Sequence, residues 1–163
     1  MRTSVLYTAL AVAFVGIACS DDTTAPATGF HANLNGTQEV PAVSTAGTAT
    51  ATFALTAGRD SATYTVSITA PVGAAVTQSH IHLAAVGVNG GISVWLCGTT
   101  AFPGPAGTPT CAAGTSIGVL ATGKVAVSAA AVNAMRAFGG YANVHTTANS
   151  GGEIRGQIVP NAP

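Results

Sequence analysis

The chain has 163 residues, of which only 6% are charged, and its formal net charge at neutral pH is zero. Five Lys and Arg residues against five Asp and Glu residues provide no basic surface that could neutralise phosphates, which excludes nucleic acid as a partner. The length suits one folded domain with one hydrophobic core.

The N-terminal segment has the features of an export signal. Arg2 supplies one positive charge, and the apolar run over residues 5–15 is too short to span a bilayer. Small residues then precede Cys19, as in a bacterial lipobox, where the cysteine receives lipid and becomes the first residue of the mature protein. Cleavage elsewhere by an ordinary signal peptidase is the alternative.

The lipobox interpretation divides the chain into a signal peptide over residues 1–18, a lipidated flexible tether over 19–28 and one domain over 29–163. Lipid on the cysteine would hold the protein at a membrane surface outside the cytoplasm, in a bacterial cell envelope. The expected partners are the membrane, through that lipid, and a protein of the envelope.

Beyond the tether, short runs of alternating apolar and polar residues predict β-strands, and glycine-rich segments between them predict turns. The runs over 46–57 and 61–70 predict a hairpin with Thr and Ser facing outward. The remaining predicted strands cover residues 29–34, 76–84, 92–97, part of 117–127, 141–145 and 153–159.

One segment predicts a helix instead. Residues 128–138 are rich in alanine, Ser128 is a suitable N-cap, and two glycines follow. About eight strands at short spacing and a single short helix predict an all-β fold, an antiparallel β-sandwich.

The three cysteines agree with export. If Cys19 carries lipid, Cys97 and Cys111 remain as a pair that bounds a loop rich in Gly, Pro and Thr. Exported domains favour a disulfide between such a pair, and two free thiols are the alternative. A metal role for the pair is rejected because no second ligand pair lies nearby in the sequence.

Three of the four histidines lie in predicted strands. His80 and His82 are two residues apart, so their side chains share one face of a strand, and His145 ends a later strand. Three imidazoles suit copper, zinc or nickel. Hydrogen-bonded structural histidines are the alternative, because spacing alone does not show convergence in space.

Glu39, Glu153 and Arg155 hold three of the few charges of the chain. Glu153 and Arg155 share a strand face, and Glu39 is expected to reach the guanidinium and form a partly buried ion pair or anion contact. An adjacent arginine is expected to lower the pKa of both carboxyl groups, which argues against a glycosidase acid. Trp95 is read as a core residue. No catalytic residue is assigned.

Four ordered segments of the chain resemble the CHRD domain, a family named for its repeats in chordin and found singly in bacterial exported proteins. The resemblance covers about residues 29–159, and it implies little about activity. It also brings the strand that ends at His145 near the other two histidines. The matching segments are 34–41 (LNGTQEVP), 79–82 (SHIH), 142–146 (ANVHT) and 151–158 (GGEIRGQI).

A second resemblance concerns the order of the histidines. A His-x-His pair, a later histidine and an arginine near the C-terminus are similar to the copper side of Cu/Zn superoxide dismutases. That resemblance implies that His80, His82 and His145 bind copper and that Arg155 guides an anion. The zinc ligands and the bridging histidine have no counterpart, since only His31 is left.

Two functions are therefore expected, with no catalytic activity in the first. One is a lipid-anchored CHRD-domain protein that serves as a binding or structural module of the cell envelope. The alternative is a protein that binds copper or zinc at a dismutase-like site.

Overall fold

The computed structural model describes residues 26–114 and 116–162. The predicted signal peptide and Cys19 lie outside the described residues, as does most of the predicted tether. Within them the strands are β1 (Gly29–Asn35), β2 (Thr48–Leu55), β3 (Ser61–Ala70), β4 (Val76–Leu83), β5 (Gly91–Gly98), β6 (Gly118–Ala126), β7 (Gly140–Thr146), β8 (Ile154–Gln157) and β9 (Val159–Pro160).

All the strands belong to one antiparallel sheet with the order β5-β4-β7-β8-β1-β2-β3-β6, in which β9 also pairs with β1. The first and last strands of this order, β5 and β6, pack against each other, so the sheet curls into a nearly closed barrel. The predicted all-β antiparallel fold is confirmed. The architecture is barrel-like, however, because one continuous sheet surrounds the core, whereas a sandwich has two separate sheets.

The core fills the inside of this barrel. Along β2 and β3 every second residue is buried, as the alternating sequence predicted, and Phe53 stands opposite Tyr64 in the predicted hairpin. The buried hydroxyl of Tyr64 donates a hydrogen bond to the carbonyl oxygen of Leu96, which joins β3 to β5 across the barrel seam. The predicted final strand is divided into β8 and β9.

The helix α1 (Ala129–Arg136) confirms the predicted helix, although it ends two residues earlier than the prediction. The hydroxyl of Ser128 accepts a hydrogen bond from the backbone N–H of Ala131, which is the capping interaction expected of this serine. No helix in the described parts of the chain is long and apolar enough to cross a membrane.

The disulfide between Cys97 and Cys111 is present. Both half-cystines are buried, and they join the end of β5 to the residues after the Pro-rich loop. The predicted pairing is confirmed, and the loop is thereby fixed at the edge of the sheet.

Candidate metal centre

The candidate site is built on the outer face of the sheet, where β4 and β7 are neighbours. Ile81 and Val144 belong to the core inside the barrel. Since successive side chains of a strand point to opposite faces, His80, His82 and His145 point outward. The register sets His80 opposite Asn143 and His82 opposite Tyr141.

The structure brings the three histidines together. One nitrogen from each ring lies within 4.8 Å of the others. The closest approach joins Nδ1 of His80 to Nε2 of His145, at 3.2 Å. Although they face outward from the sheet, the three residues are only 0%, 8% and 6% exposed (His80, His82 and His145), so they form a buried cluster.

Backbone carbonyl groups determine which ring nitrogens carry protons. Nδ1 of His82 lies 2.9 Å from the carbonyl oxygen of Gly90, and Nδ1 of His145 lies 2.9 Å from that of Ser150. A carbonyl oxygen only accepts, so both Nδ1 atoms must donate, and the Nε2 atom of each neutral ring carries a free lone pair. Nδ1 of His80 then donates to Nε2 of His145.

The protein environment also keeps these rings neutral. Burial lowers the pKa of His80 to about 3, and the neighbouring His145 and His82 add to this effect. Burial is likewise the largest cause of the lowered pKa values of His82 and His145, against hydrogen bonds to backbone carbonyls that raise them. Neutral imidazole is the form that binds metal ions.

Two aromatic side chains border the cluster. The ring of Trp95 contacts His80 edge to face, with 4.2 Å between centroids, so this tryptophan packs outside the barrel and not in the predicted core. The ring of Tyr141 stacks on His82 at 4.8 Å with an interplanar angle of 3°. Tyr141 was not among the predicted site residues, although its position four residues before His145 sets it on the same strand face.

An ion pair lies next to the histidine cluster. Nε of Arg155 is 3.8 Å from a carboxylate oxygen of Glu39, and both side chains are buried. The guanidinium carbon lies 4.6 Å from the centre of the Tyr141 ring. The other carboxylate oxygen of Glu39 accepts a 2.6 Å hydrogen bond from Nδ2 of Asn143, the residue opposite His80.

The electrostatics of Glu39 differ from the expectation for a carboxyl group beside an arginine. Burial raises the pKa of Glu39 to about 7, because the cost of removing the carboxylate from water exceeds the opposing effects of Arg155 and Asn143. The predicted lowering of this pKa was based on the neighbouring arginine, and the larger effect of burial reverses it.

Glu153 belongs to a separate network. Its carboxylate accepts hydrogen bonds from Thr45, Gly73, Thr146 and Asn149. Burial alone would raise the pKa of Glu153, but these four hydrogen bonds together hold it below its usual range. The structure therefore brings Glu39 and Arg155 together, whereas Glu153 joins the loops before β2 and β4 to β7.

Unsatisfied polar atoms are concentrated around the histidines. Over the described residues, the buried side-chain nitrogen and oxygen atoms without a hydrogen-bond partner are Nε2 of His80, Nε2 of His82, Oδ1 of Asn143 and Nη2 of Arg155. Each such atom costs stability when it is left unpaired. Their concentration on one face of β4, β7 and β8 makes this face the candidate binding site.

The remaining histidine is outside the cluster. His31 lies on β1, and its Nδ1 is 2.8 Å from the side-chain oxygen of Asn161. The group of three or more potential metal ligands found among the described residues comprises His80, His82 and His145.

Comparison with known proteins agrees with the four sequence segments. The sequence model of the CHRD domain matches residues 30–158, which span β1 to β8 and end just before β9. No curated protein and no solved structure matches the chain. Because the match covers most of the chain and nearly the whole barrel, this protein belongs to the CHRD domain family.

Proposed function

We propose that this CHRD-domain protein is a lipid-anchored, non-catalytic binding module of the cell envelope, and that its ligand is one transition-metal ion held by His80, His82 and His145. The observation that carries the proposal is the buried convergence of three neutral imidazoles on one sheet face. Two of them leave Nε2 without a partner.

The spacing of the nitrogens fits a metal ion. Nitrogens bound to one zinc or copper ion at about 2.0–2.1 Å are roughly 3.3–3.6 Å apart. The 3.2 Å between Nδ1 of His80 and Nε2 of His145 is already close to that value. A metal ion bound there would replace the proton between these two atoms, and the neutral His80 ring would carry its proton on Nε2 instead. One nitrogen from each ring lies within 4.8 Å of the others, so the widest pair would need to close by roughly 1.2–1.5 Å, which rotations of the rings would supply.

The surroundings resemble the outer shell of a metal site. Ligating histidines usually donate their second ring nitrogen to a carbonyl or carboxylate oxygen, which orients the ring. Gly90 and Ser150 supply such oxygens to His82 and His145. An all-imidazole ligand set suits copper and zinc, so these are the ions to test.

The burial of the site supports binding without turnover. His80 is fully buried, and the rings of Trp95 and Tyr141 lie against the cluster. A metalloenzyme needs an open coordination position that its substrate can reach. We therefore favour a bound ion over a dismutase-like reaction, despite the similar order of histidines.

Metal analysis of the mature protein, purified without a histidine tag, tests the metal proposal. We expect about one equivalent of copper or zinc. Because Trp95 is the only tryptophan of the chain and contacts His80, copper added to the metal-free protein should quench its fluorescence with an endpoint at one equivalent. His31→Ala, which alters the histidine outside the cluster, should titrate identically. A titration without an endpoint would contradict metal binding.

The lipid anchor rests on the sequence before Cys19, and its test is independent of the metal. The mature protein should fractionate with membranes, and Cys19→Ser should release it or leave it unprocessed. If the variant remains membrane-bound and correctly trimmed, the anchor proposal is wrong.

A further inference from the structure

The N-terminal end of the described domain leaves the barrel at a defined place. Nε and Nη2 of Arg136 both donate to the carbonyl oxygen of Ala27, each at 3.2 Å, and the carbonyl oxygen of Thr28 accepts a 2.7 Å hydrogen bond from the N–H of Leu55. These bonds fix the exit of the chain beside the C-terminal turn of α1.

Exposed apolar side chains lie on two loops at this same end. Phe138, Val86 and Val88 are 53%, 73% and 52% exposed. The side-chain amide of Gln157 donates to the carbonyl oxygens of both Ala84 and Phe138, so the two loops are adjacent. We call Val86, Val88 and Phe138 the exit-end surface.

Phe138 is unusual in both conformation and location. Its φ is +56°, in the left-handed region where glycine is the usual residue after a helix. It is just over half exposed and is not part of the hydrophobic core. Neither local backbone geometry nor packing within the domain accounts for an aromatic side chain here.

The short tether determines what this end faces. If Cys19 is lipidated, seven residues (20–26) separate it from Ala27, and the eight Cα–Cα steps between the two span at most about 29 Å. A strand of eight residues, such as β2, is about 27 Å long. The tether is thus about as long as the barrel, so it keeps the exit end within reach of the bilayer, and the exit end is the end at which the chain is attached.

We infer that the exit-end surface docks on the lipid bilayer and orients the domain, with Phe138 in the interfacial region. Phenylalanine is among the side chains that peripheral segments bury in that region, and valines gain from leaving water. This inference rests on the proposed lipid anchor. The opposite end also exposes apolar side chains, Phe102 and Ile117, and thus provides a matched comparison within the same chain.

The test uses the mature lipoprotein in vesicles of phosphatidylethanolamine and phosphatidylglycerol with brominated acyl chains. Trp95→Phe removes the only native tryptophan, and Phe138→Trp or Phe102→Trp then introduces a single reporter. Bromine quenches tryptophan on contact, so we expect the emission from position 138 to fall at least about twofold and that from position 102 to remain unchanged.

Mass spectrometry of the N-terminal peptide separates the two ways of failing. If Cys19 is acylated and position 138 is not quenched, or both positions are quenched equally, the docking inference is wrong while the anchor stands. If Cys19 carries no lipid, the anchor proposal fails and the docking inference fails with it.

Discussion

Nδ1 of His80 and Nε2 of His145 lie 3.2 Å apart, although 65 residues separate them in sequence. The pairing of β4 with β7 accounts for this contact, because it sets Gln78 opposite His145 and His80 opposite Asn143. The two imidazoles are therefore diagonal neighbours on one sheet face, within reach of each other across the strand pair. His82 joins them from two residues along β4.

Removing one ligand should weaken metal binding. We expect His82→Ala to reduce the affinity for Cu²⁺ at least about tenfold, equivalent to about 1.4 kcal/mol, because one of three imidazoles is lost. Competition with a chromophoric chelator would measure the change. His31→Ala is the control, since His31 bonds with Asn161 and is not in the cluster. Equal affinities of His82→Ala and the wild type would leave the three residues as structural histidines.

The raised pKa of Glu39 predicts a pH dependence of stability. In the unfolded chain this carboxyl titrates near 4.5, and in the folded protein near 7. The folded state thus retains a proton that the unfolded state has lost, so this group's contribution to stability falls as pH rises from about 4.5 to 7. Above both pKa values Glu39 is ionised in the folded and the unfolded state, and its contribution to the free energy of unfolding is completely lost.

Glu39→Gln isolates this contribution, because glutamine does not titrate. Between pH 4 and 8 the free energy of unfolding of the wild type should fall relative to that of the variant, by on the order of 3 kcal/mol, since each pKa unit corresponds to about 1.4 kcal/mol. Urea denaturation of the metal-free proteins at each pH would measure the difference. Parallel pH profiles would show that Glu39 is ionised well below neutrality.

Glu153 should require its charge for stability. It is fully buried and accepts hydrogen bonds at both carboxylate oxygens. Glu153→Gln keeps the shape but turns one acceptor into a donor that faces other donors, so we expect a loss of about 2–4 kcal/mol in the free energy of unfolding.

Asp60→Asn is the matched control for Glu153→Gln. Asp60 accepts hydrogen bonds from the hydroxyls of Thr56 and Ser61, but it is exposed in a surface turn. Its substitution should change stability by less than about 1 kcal/mol. Similar losses in both variants would contradict a special role for the Glu153 network.

Removal of the disulfide should destabilise the domain. Cys97 and Cys111 are 14 residues apart, and closing a loop of this size stabilises by about 3 kcal/mol in the chain-entropy model. The double variant Cys97→Ala, Cys111→Ala should lose about that amount in urea denaturation. An unchanged midpoint of unfolding would show that the loop is held by its other contacts.

Much of the fold follows from local patterns in the sequence. Alternation over 61–70 predicted β3 with the same bounds, and Ser128 with the alanines after it predicted α1 within two residues. These features depend on side chains that are only a few positions apart in the sequence, so the local pattern is enough to predict them. The His-x-His pair is local in the same sense, since a strand aligns residues i and i+2.

Only the tertiary structure determined that the strands enclose the core as a barrel and how the polar side chains contact one another on its outer face. The closure of one sheet into a barrel depends on β5 meeting β6, and no local pattern records that contact. The sequence had grouped Glu39, Glu153 and Arg155 together, and packing separated them: Glu39 lies beside Arg155, whereas Glu153 is turned toward Thr146. Burial then raised the pKa of Glu39, because the cost of desolvation depends on surrounding loops that are distant in sequence.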